Sequence, residues 1–286
     1  MTTEAKALYR RAREAWERED WPASVAAYEE LLARFPDHRF SPAWWFDAAL
    51  AAKFLHDWPR ALRLGVEAAA RTERGTEDPA FWNLGIAATA LRDWPVARDA
   101  WAGYGIDLPP GDGEIQADFG VTCVRVSTAG GQEVVWAQRL CPARARVLSI
   151  PFSPDRRFGE VVLHDGAPNG ERVVGEDRFL VFDELMPFTP SAIPTLSCVI
   201  RGEEADFVAL SDVFDEFGLA VEPADSGRTL CRCCSEGSVA TARDLSPKDG
   251  ERQMLLAASE EQARTLLELW VTGNPSARSW SRPHVL

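Results

Sequence analysis

Apolar and polar positions recur with a helical period through the first hundred residues, and the pattern itself is repeated. The tripeptide Asp-Trp-Pro occurs at positions 20–22, 57–59 and 93–95, so its copies are 37 and 36 residues apart. A repeat of this length is typical of a helix–turn–helix unit. The sequence therefore predicts three helical hairpins within residues 4–104.

Aligning the copies on the Trp shows which positions are shared. A large residue stands 13 positions before it, and small residues stand six before and three after: Leu8, Trp45 and Phe81; Ala15, Ala52 and Ala88; Ser24, Ala61 and Ala97. Proline is tolerated in the first turn of a helix and Asp is a good cap. We expect each Asp-Trp-Pro to begin the second helix of a hairpin, with the Trp packed between the two helices.

The third copy, Phe81-x-x-Leu84-Gly85-x-x-Ala88 followed by Ala97-x-x-x-Trp101, resembles the tetratricopeptide repeat (TPR) pattern, and the first copy ends with the expected Pro36. The resemblance covers residues 4–104. It implies that the first helices line a concave groove. The residues expected to face that groove are Tyr9, Arg13, Trp16, Phe46, Leu50, Lys53, Trp82, Ile86 and Thr89. An aromatic strip of this kind is how repeat proteins commonly bind peptides; the alternative is that the following domain fills the groove and buries the strip.

The pattern changes after Trp101. Residues 105–113 contain Pro-Pro-Gly-Asp-Gly and are predicted to form a linker. Alternation with a period of two then predicts at least five strands, which would form a small β-rich barrel or sandwich over residues 114–192. Its candidate functional feature is a loop at 164–170 carrying His164, Asp165 and Asn169; Asp-Gly and Asn-Gly are also common turn sequences, so the alternative is an ordinary turn.

The last part of the chain, residues 193–286, follows the order β-α-β-β-α-β, which predicts a ferredoxin-like domain. It contains the cluster Cys231, Cys233 and Cys234. Thiolates suit zinc, but a closed tetrahedral site needs a fourth ligand, and this spacing does not easily direct three sulfurs at one ion. The cluster leaves three alternatives open: a zinc site, a redox thiol pair, or plain thiols.

Composition and charge narrow the classes of function. The chain has 286 residues, 46% of them hydrophobic, and a net charge of −13. Residues 1–104 carry 14 basic and 16 acidic side chains, and residues 105–286 carry 17 and 28, so the acidity lies in the later part. This charge disfavours nucleic acid and anionic membranes as partners. The lack of a signal peptide or spanning segment, together with six Cys read as thiols, predicts a cytoplasmic protein.

We therefore expect an α+β multidomain protein that binds another protein, a basic one, and performs no catalysis. No cofactor is expected. A narrower hypothesis, by analogy with acidic bacterial inhibitors, is an immunity protein that binds a basic toxin domain. The alternatives are a zinc- or thiol-dependent enzyme or sensor that uses the Cys cluster, and a small-ligand site at the loop of residues 164–170.

Overall fold

The computed structural model describes residues 1–224, 237–238 and 250–286. Its contacts divide the chain into two units, Met1–Ala117 and Asp118–Leu286. The first unit is helical, and the described part of the second contains two sheets with two further helices. The prediction of N-terminal helical repeats followed by β-rich structure is thereby confirmed. Within the described ranges, no helix combines the length and apolar character needed to cross a bilayer.

Six helices form the first unit, and each packs against the next one in sequence. Their bounds are α1 (Thr3–Glu17), α2 (Trp21–Arg34), α3 (Ser41–Phe54), α4 (Trp58–Ala69), α5 (Pro79–Ala90) and α6 (Trp94–Tyr104). The three Asp-Trp-Pro copies lie at the starts of α2, α4 and α6. The hairpins α1–α2, α3–α4 and α5–α6 are therefore the three sequence repeats.

The turn inside each hairpin has the same geometry in all three copies. Asp20, Asp57 and Asp93 are the N-caps, and each side chain accepts a hydrogen bond from the backbone amide three residues later. The backbone amide of each Asp in turn donates to the carbonyl of the small residue six positions before the Trp. These bonds, to Ala15, Ala52 and Ala88, are 2.9, 3.0 and 2.9 Å long. The residue before each Asp is left-handed, with φ of 55°, 58° and 59° at Glu19, His56 and Arg92. The tripeptide therefore specifies a turn in which both helix ends are satisfied.

Five strands of the second unit close into a barrel. They are β1 (Val121–Thr128), β2 (Gly131–Cys141), β3 (Arg144–Val147), β4 (Val161–Val174) and β5 (Asp177–Thr189). Neighbours in sequence pair antiparallel, and a parallel pairing of β1 with β5 completes the ring. A further strand, β8 (Gly237–Ser238), pairs with β4. Small β-branched and alanine side chains fill one face of this barrel: Val124, Val126, Val135, Ala137, Ala145, Val147 and Val162.

The prediction of a loop at residues 164–170 is wrong, because the structure places these residues within β4. Their pairing with β5 continues on both sides, from His164 with Glu184 to Glu171 with Leu180, through several register shifts. The hairpin turn comes later, between Val174 and Asp177. Asp-Gly and Asn-Gly therefore stand at irregularities of a long strand, where glycine is also favoured.

A second sheet contains β6 (Thr195–Gly202), β7 (Ala220–Pro223), β9 (Gly250–Ala257) and β10 (Ser279–Trp280), in the spatial order β10-β6-β9-β7, with every pair antiparallel. A short β11 (His284–Val285) also pairs with β6. Helices α7 (Glu204–Asp215) and α8 (Glu260–Thr272) contribute Phe207, Leu210, Phe214, Leu266, Leu267 and Trp270 to the core of this sheet.

The barrel and the second sheet share a core within the second unit. Ile150, which follows β3, is buried with Ala220, Leu255 and Ala257 of the sheet. Its backbone amide also donates a hydrogen bond of 3.1 Å to Oε1 of Glu222. Because an apolar contact and a backbone hydrogen bond join them, the barrel and the sheet are held as one compact body.

Candidate partner-binding strip on the helical repeats

The nine residues predicted to line the groove fall into two groups by exposure. Tyr9, Arg13, Trp16, Phe46 and Leu50 are half-buried and lie on α1 and α3; we call these five residues the strip. Trp82 on α5 is also half-buried, whereas Lys53, Ile86 and Thr89 are buried. Most of the candidates that a partner can reach therefore lie on the first two hairpins, with Trp82 on the third.

A polar group lies beside the middle of the strip. The buried hydroxyl of Tyr28, on α2, donates a hydrogen bond of 2.9 Å to Oδ2 of Asp47, on α3. The guanidinium of Arg13 lies beside the same hydroxyl, and the ring of Tyr9 meets the Tyr28 ring edge-on at 6.5 Å between centroids. These contacts join α1, α2 and α3, so they fix the positions of Tyr9 and Arg13 in the strip.

Burial decides the charges of this group. It raises the pKa of Tyr28, and the neighbouring carboxylate of Asp47 raises it further. Burial also raises the pKa of Asp47, against the hydrogen bond from Tyr28 and the charge of Arg13. Burial alone would lower the pKa of Arg13, but Tyr28, Tyr9 and Asp47 together raise it. Arg13 therefore stays cationic, and its guanidinium lies beside Tyr28 among aromatic neighbours.

Aromatic rings continue the strip at the end where α1 turns into α2. Trp16 meets Trp21 edge-on at 5.2 Å and Phe54 at 6.0 Å, so the cluster spans α1, α2 and α3. Arg13 lies 5.8 Å from the centroid of the Trp16 ring, and Nζ of Lys53 lies 4.9 Å from that of Phe54. Cations over aromatic faces are favourable, and here they help to hold the rings in place.

In the third hairpin, the equivalent aromatic residue packs differently. Trp82 meets Trp101 edge-on at 5.2 Å and Tyr104 at 4.8 Å, both on α6. Gly85 makes room for Trp101, because a Cβ at Gly85 would lie 2.6 Å from that ring. The Nε1 atoms of Trp82 and Trp101 are buried and have no hydrogen-bond partner in the described part of the chain. Trp82 is thus held against its own hairpin.

Tyr28, Asp47 and Phe54 were absent from the predicted set. Asp47 carried a signal in the sequence, because it interrupts the apolar run from Trp44 to Ala52, and a lone charge there implies a partner. Tyr28 is seven residues after Trp21, the position that Gly65 and Trp101 occupy in the other copies. Because the residue at this aligned position differs in every copy, the alignment gave no indication that Tyr28 makes a polar contact with the next hairpin.

The residues of the predicted 164–170 loop have separate structural roles. His164 is fully buried, its Nδ1 lies 2.7 Å from the carbonyl oxygen of Asp165, and its ring lies 5.0 Å from that of Phe182. Burial lowers the pKa of His164 to about 4. Nδ2 of Asn169 donates to Oδ2 of Asp183 at 2.6 Å. His164 and Asn169 are thus each engaged by other neighbours.

The candidate metal ligands Cys231, Cys233 and Cys234 lie outside the described residues, so the zinc and thiol hypothesis stays a prediction. The described cysteines Cys123, Cys141 and Cys198 are buried free thiols. Burial raises the pKa of Cys123 to about 11, which keeps it protonated. Within the described ranges, no three His, Cys, Asp or Glu side chains are grouped so that they could hold a metal ion.

Comparison with known proteins gives little further information. No protein-family model matches the chain, and no curated protein does. A solved structure that is similar to part of it is the "TPR2B-domain:pHsp70-complex of yeast Sti1", with 21% identity and a TM-score of 0.30. That similarity covers 36% of this chain and 78% of the other. It is too weak to show the family, so the case for a function is made from the repeats themselves.

Proposed function

We propose that the protein binds another protein through the strip on α1 and α3. The observation that carries this proposal is the group of half-buried Tyr9, Trp16, Phe46 and Leu50 around the cationic Arg13. Aromatic and Arg side chains, partly exposed and already held by neighbours, are the residue types that contribute most to protein interfaces. Their fixed positions also reduce the entropy that is lost on binding.

Two finer assignments belong to the same proposal. The hairpins are TPR-like. The support is the Asp-Trp-Pro turn and the small residues, six positions before and three after each Trp, that recur in every hairpin. The C-terminal sheet is ferredoxin-like, supported by its β-α-β-β-α-β chain order and by its antiparallel strand order β10-β6-β9-β7. Since both folds serve many functions, they support the architecture and do not identify the partner.

The partner that we propose is a basic cytoplasmic protein, and the narrower form of the proposal is a toxin domain that this chain inhibits. The support is charge: residues 105–286 have 11 more acidic than basic side chains. A negative field of this size speeds association with a cationic protein and penalises an anionic one. The strip would supply the specific contact and the acidic second unit the long-range attraction.

Capture from an extract of the native host tests this proposal. The immobilised full chain is expected to retain a basic protein in near-stoichiometric amount. Because exposed charges are screened over about 10 Å at 0.1 M salt, raising the salt from about 0.05 to 0.5 M should weaken the complex about tenfold or more. Failure to retain any protein near stoichiometry, or retention of an acidic one, would contradict the proposal.

A further inference from the structure

An open cavity of about 520 Å³ lies in the second unit. The first turn and a half of α8 forms one wall, and residues 280–283 form the other. Its lining residues are Glu260, Glu261, Arg264, Trp280, Arg282 and Pro283. The volume is within the range of small-ligand sites, about 300 to 1,000 Å³.

Neither of the two guanidiniums in this cavity forms an ion pair within the described part of the chain. Arg264 has Glu260 and Glu261 within helical reach, four and three residues earlier, a spacing that commonly gives an ion pair. Neither carboxylate comes within ion-pair distance of Arg264 in the structure, and in the described part of the chain Arg282 has no hydrogen bond or ion pair. The cavity therefore presents two carboxylates and two guanidiniums that form no ion pairs with one another.

The remaining wall is flat and apolar. Trp280 lies in β10, opposite Ile200 of β6, and packs partly against the C-terminal core, so its ring is held in place. Pro283 is buried beside it. At the start of α8 the amide of Gln262 is already satisfied, because Ser259 and Gln262 form a reciprocal capping box with bonds of 3.2 and 3.0 Å. The groups that the cavity offers for recognition include its charged side chains and the indole of Trp280.

We propose that this cavity binds a free α-amino acid with an aromatic or large apolar side chain. Its carboxylate would pair with Arg264 and Arg282, its ammonium group with Glu260 and Glu261, and its side chain would lie on Trp280. A simple anion would meet the two carboxylates, and a simple cation the two guanidiniums, so the zwitterion is the small-ligand class that satisfies both pairs. Because the cavity is open to water, affinity is expected near millimolar.

Titration of the full chain by NMR, with three probes that share a phenyl group, tests the proposal. L-phenylalanine should bind at least about tenfold more tightly than 3-phenylpropionate, which lacks the ammonium group, and phenethylamine, which lacks the carboxylate. Arg282→Gln should weaken L-phenylalanine and 3-phenylpropionate, but not phenethylamine. Glu261→Gln should weaken L-phenylalanine and phenethylamine, but not 3-phenylpropionate.

Arg10→Gln, on the exposed face of α1, is the matched control and should change none of these affinities. The proposal is overturned if L-phenylalanine at about 10 mM causes no shift of signals from the cavity residues. It is also overturned if the three probes bind equally, or if Arg282→Gln and Glu261→Gln lose the same probes. Thermal melting of each variant separates loss of binding from loss of folding.

Discussion

The residue before each Asp cap has a strained, left-handed backbone conformation. Glu19 is left-handed, with φ of 55°, and its backbone makes the turn contacts while its side chain is exposed. Left-handed backbone costs a residue with a Cβ about 1 to 2 kcal/mol. The turn is therefore set by the Asp cap and the helix packing, against the preference of the residue before the cap.

Glu19→Gly should accordingly stabilise the first unit by about 0.5 to 1 kcal/mol, because glycine enters the left-handed region freely. The matched control is Glu14→Gly, in the exposed interior of α1, which should cost about 1 kcal/mol. Urea unfolding of both variants measures the two changes. Destabilisation by both would show that the turn does not have the left-handed geometry.

His164 should make stability depend on pH. Its pKa is lowered to about 4 by burial, so between roughly pH 6.5 and 4 the unfolded chain binds a proton that the folded chain does not. The free energy of unfolding should therefore fall on acidification through this range, by up to about 1.4 kcal/mol per pH unit. His164→Leu should remove this component, whereas His284→Gln, at an exposed position, should keep it. Equal pH dependence in His164→Leu and the wild type would exclude the buried neutral histidine.

Two buried glycines in the repeat helices differ in whether the packing around them requires glycine. Gly85 on α5 faces Trp101, and a Cβ there would lie 2.6 Å from the ring. Gly65 on α4 is also buried in a helix, but a Cβ there would lie 3.5 Å from Leu84, an ordinary contact. The same substitution should therefore have opposite signs at these two positions.

Gly65→Ala should stabilise the protein by about 1 kcal/mol, since alanine is the better helix former. Gly85→Ala should destabilise it by about 2 kcal/mol, because the rigid indole of Trp101 has to move. Thermal or urea unfolding of the pair measures both effects. A gain in stability at Gly85 would mean that Trp101 does not pack against α5 as described.

Elements with a strong periodic pattern could be predicted from the sequence. The Asp-Trp-Pro turns and the helices they begin follow from capping and proline chemistry, which are local. Strand β4 runs through the segment predicted as a loop, residues 164–170, where Asp165-Gly166 and Asn169-Gly170 are sequences typical of turns. Its continuation to Val174 depends on pairing with β5 across register shifts, which local sequence does not encode.

At the scale of the molecule, the order of helices and strands along the chain was predictable from the sequence. The closure of strands β1 to β5 into a barrel was not. The parallel pairing of β1 with β5 joins Cys123 to Val181, which are far apart in sequence. Likewise, the strip could be located by repeat alignment on α1 and α3, whereas the burial of Ile86 and Thr89 and the turn of Trp82 toward α6 depend on tertiary packing. Local rules thus found the repeat, and packing decided which of its residues remain accessible.

The central claim is that the strip binds a protein, and a matched pair of leucine variants tests it most directly. Leu50 belongs to the strip on α3, and Leu62 on α4 is equally half-buried but packs against the core of the third hairpin. We expect Leu50→Ser to reduce the affinity for the captured partner at least about tenfold, and Leu62→Ser to leave it unchanged although both lose stability. The affinity of each variant is measured by titration with the purified partner. Equal affinity of Leu50→Ser and the wild type for the partner would contradict the account.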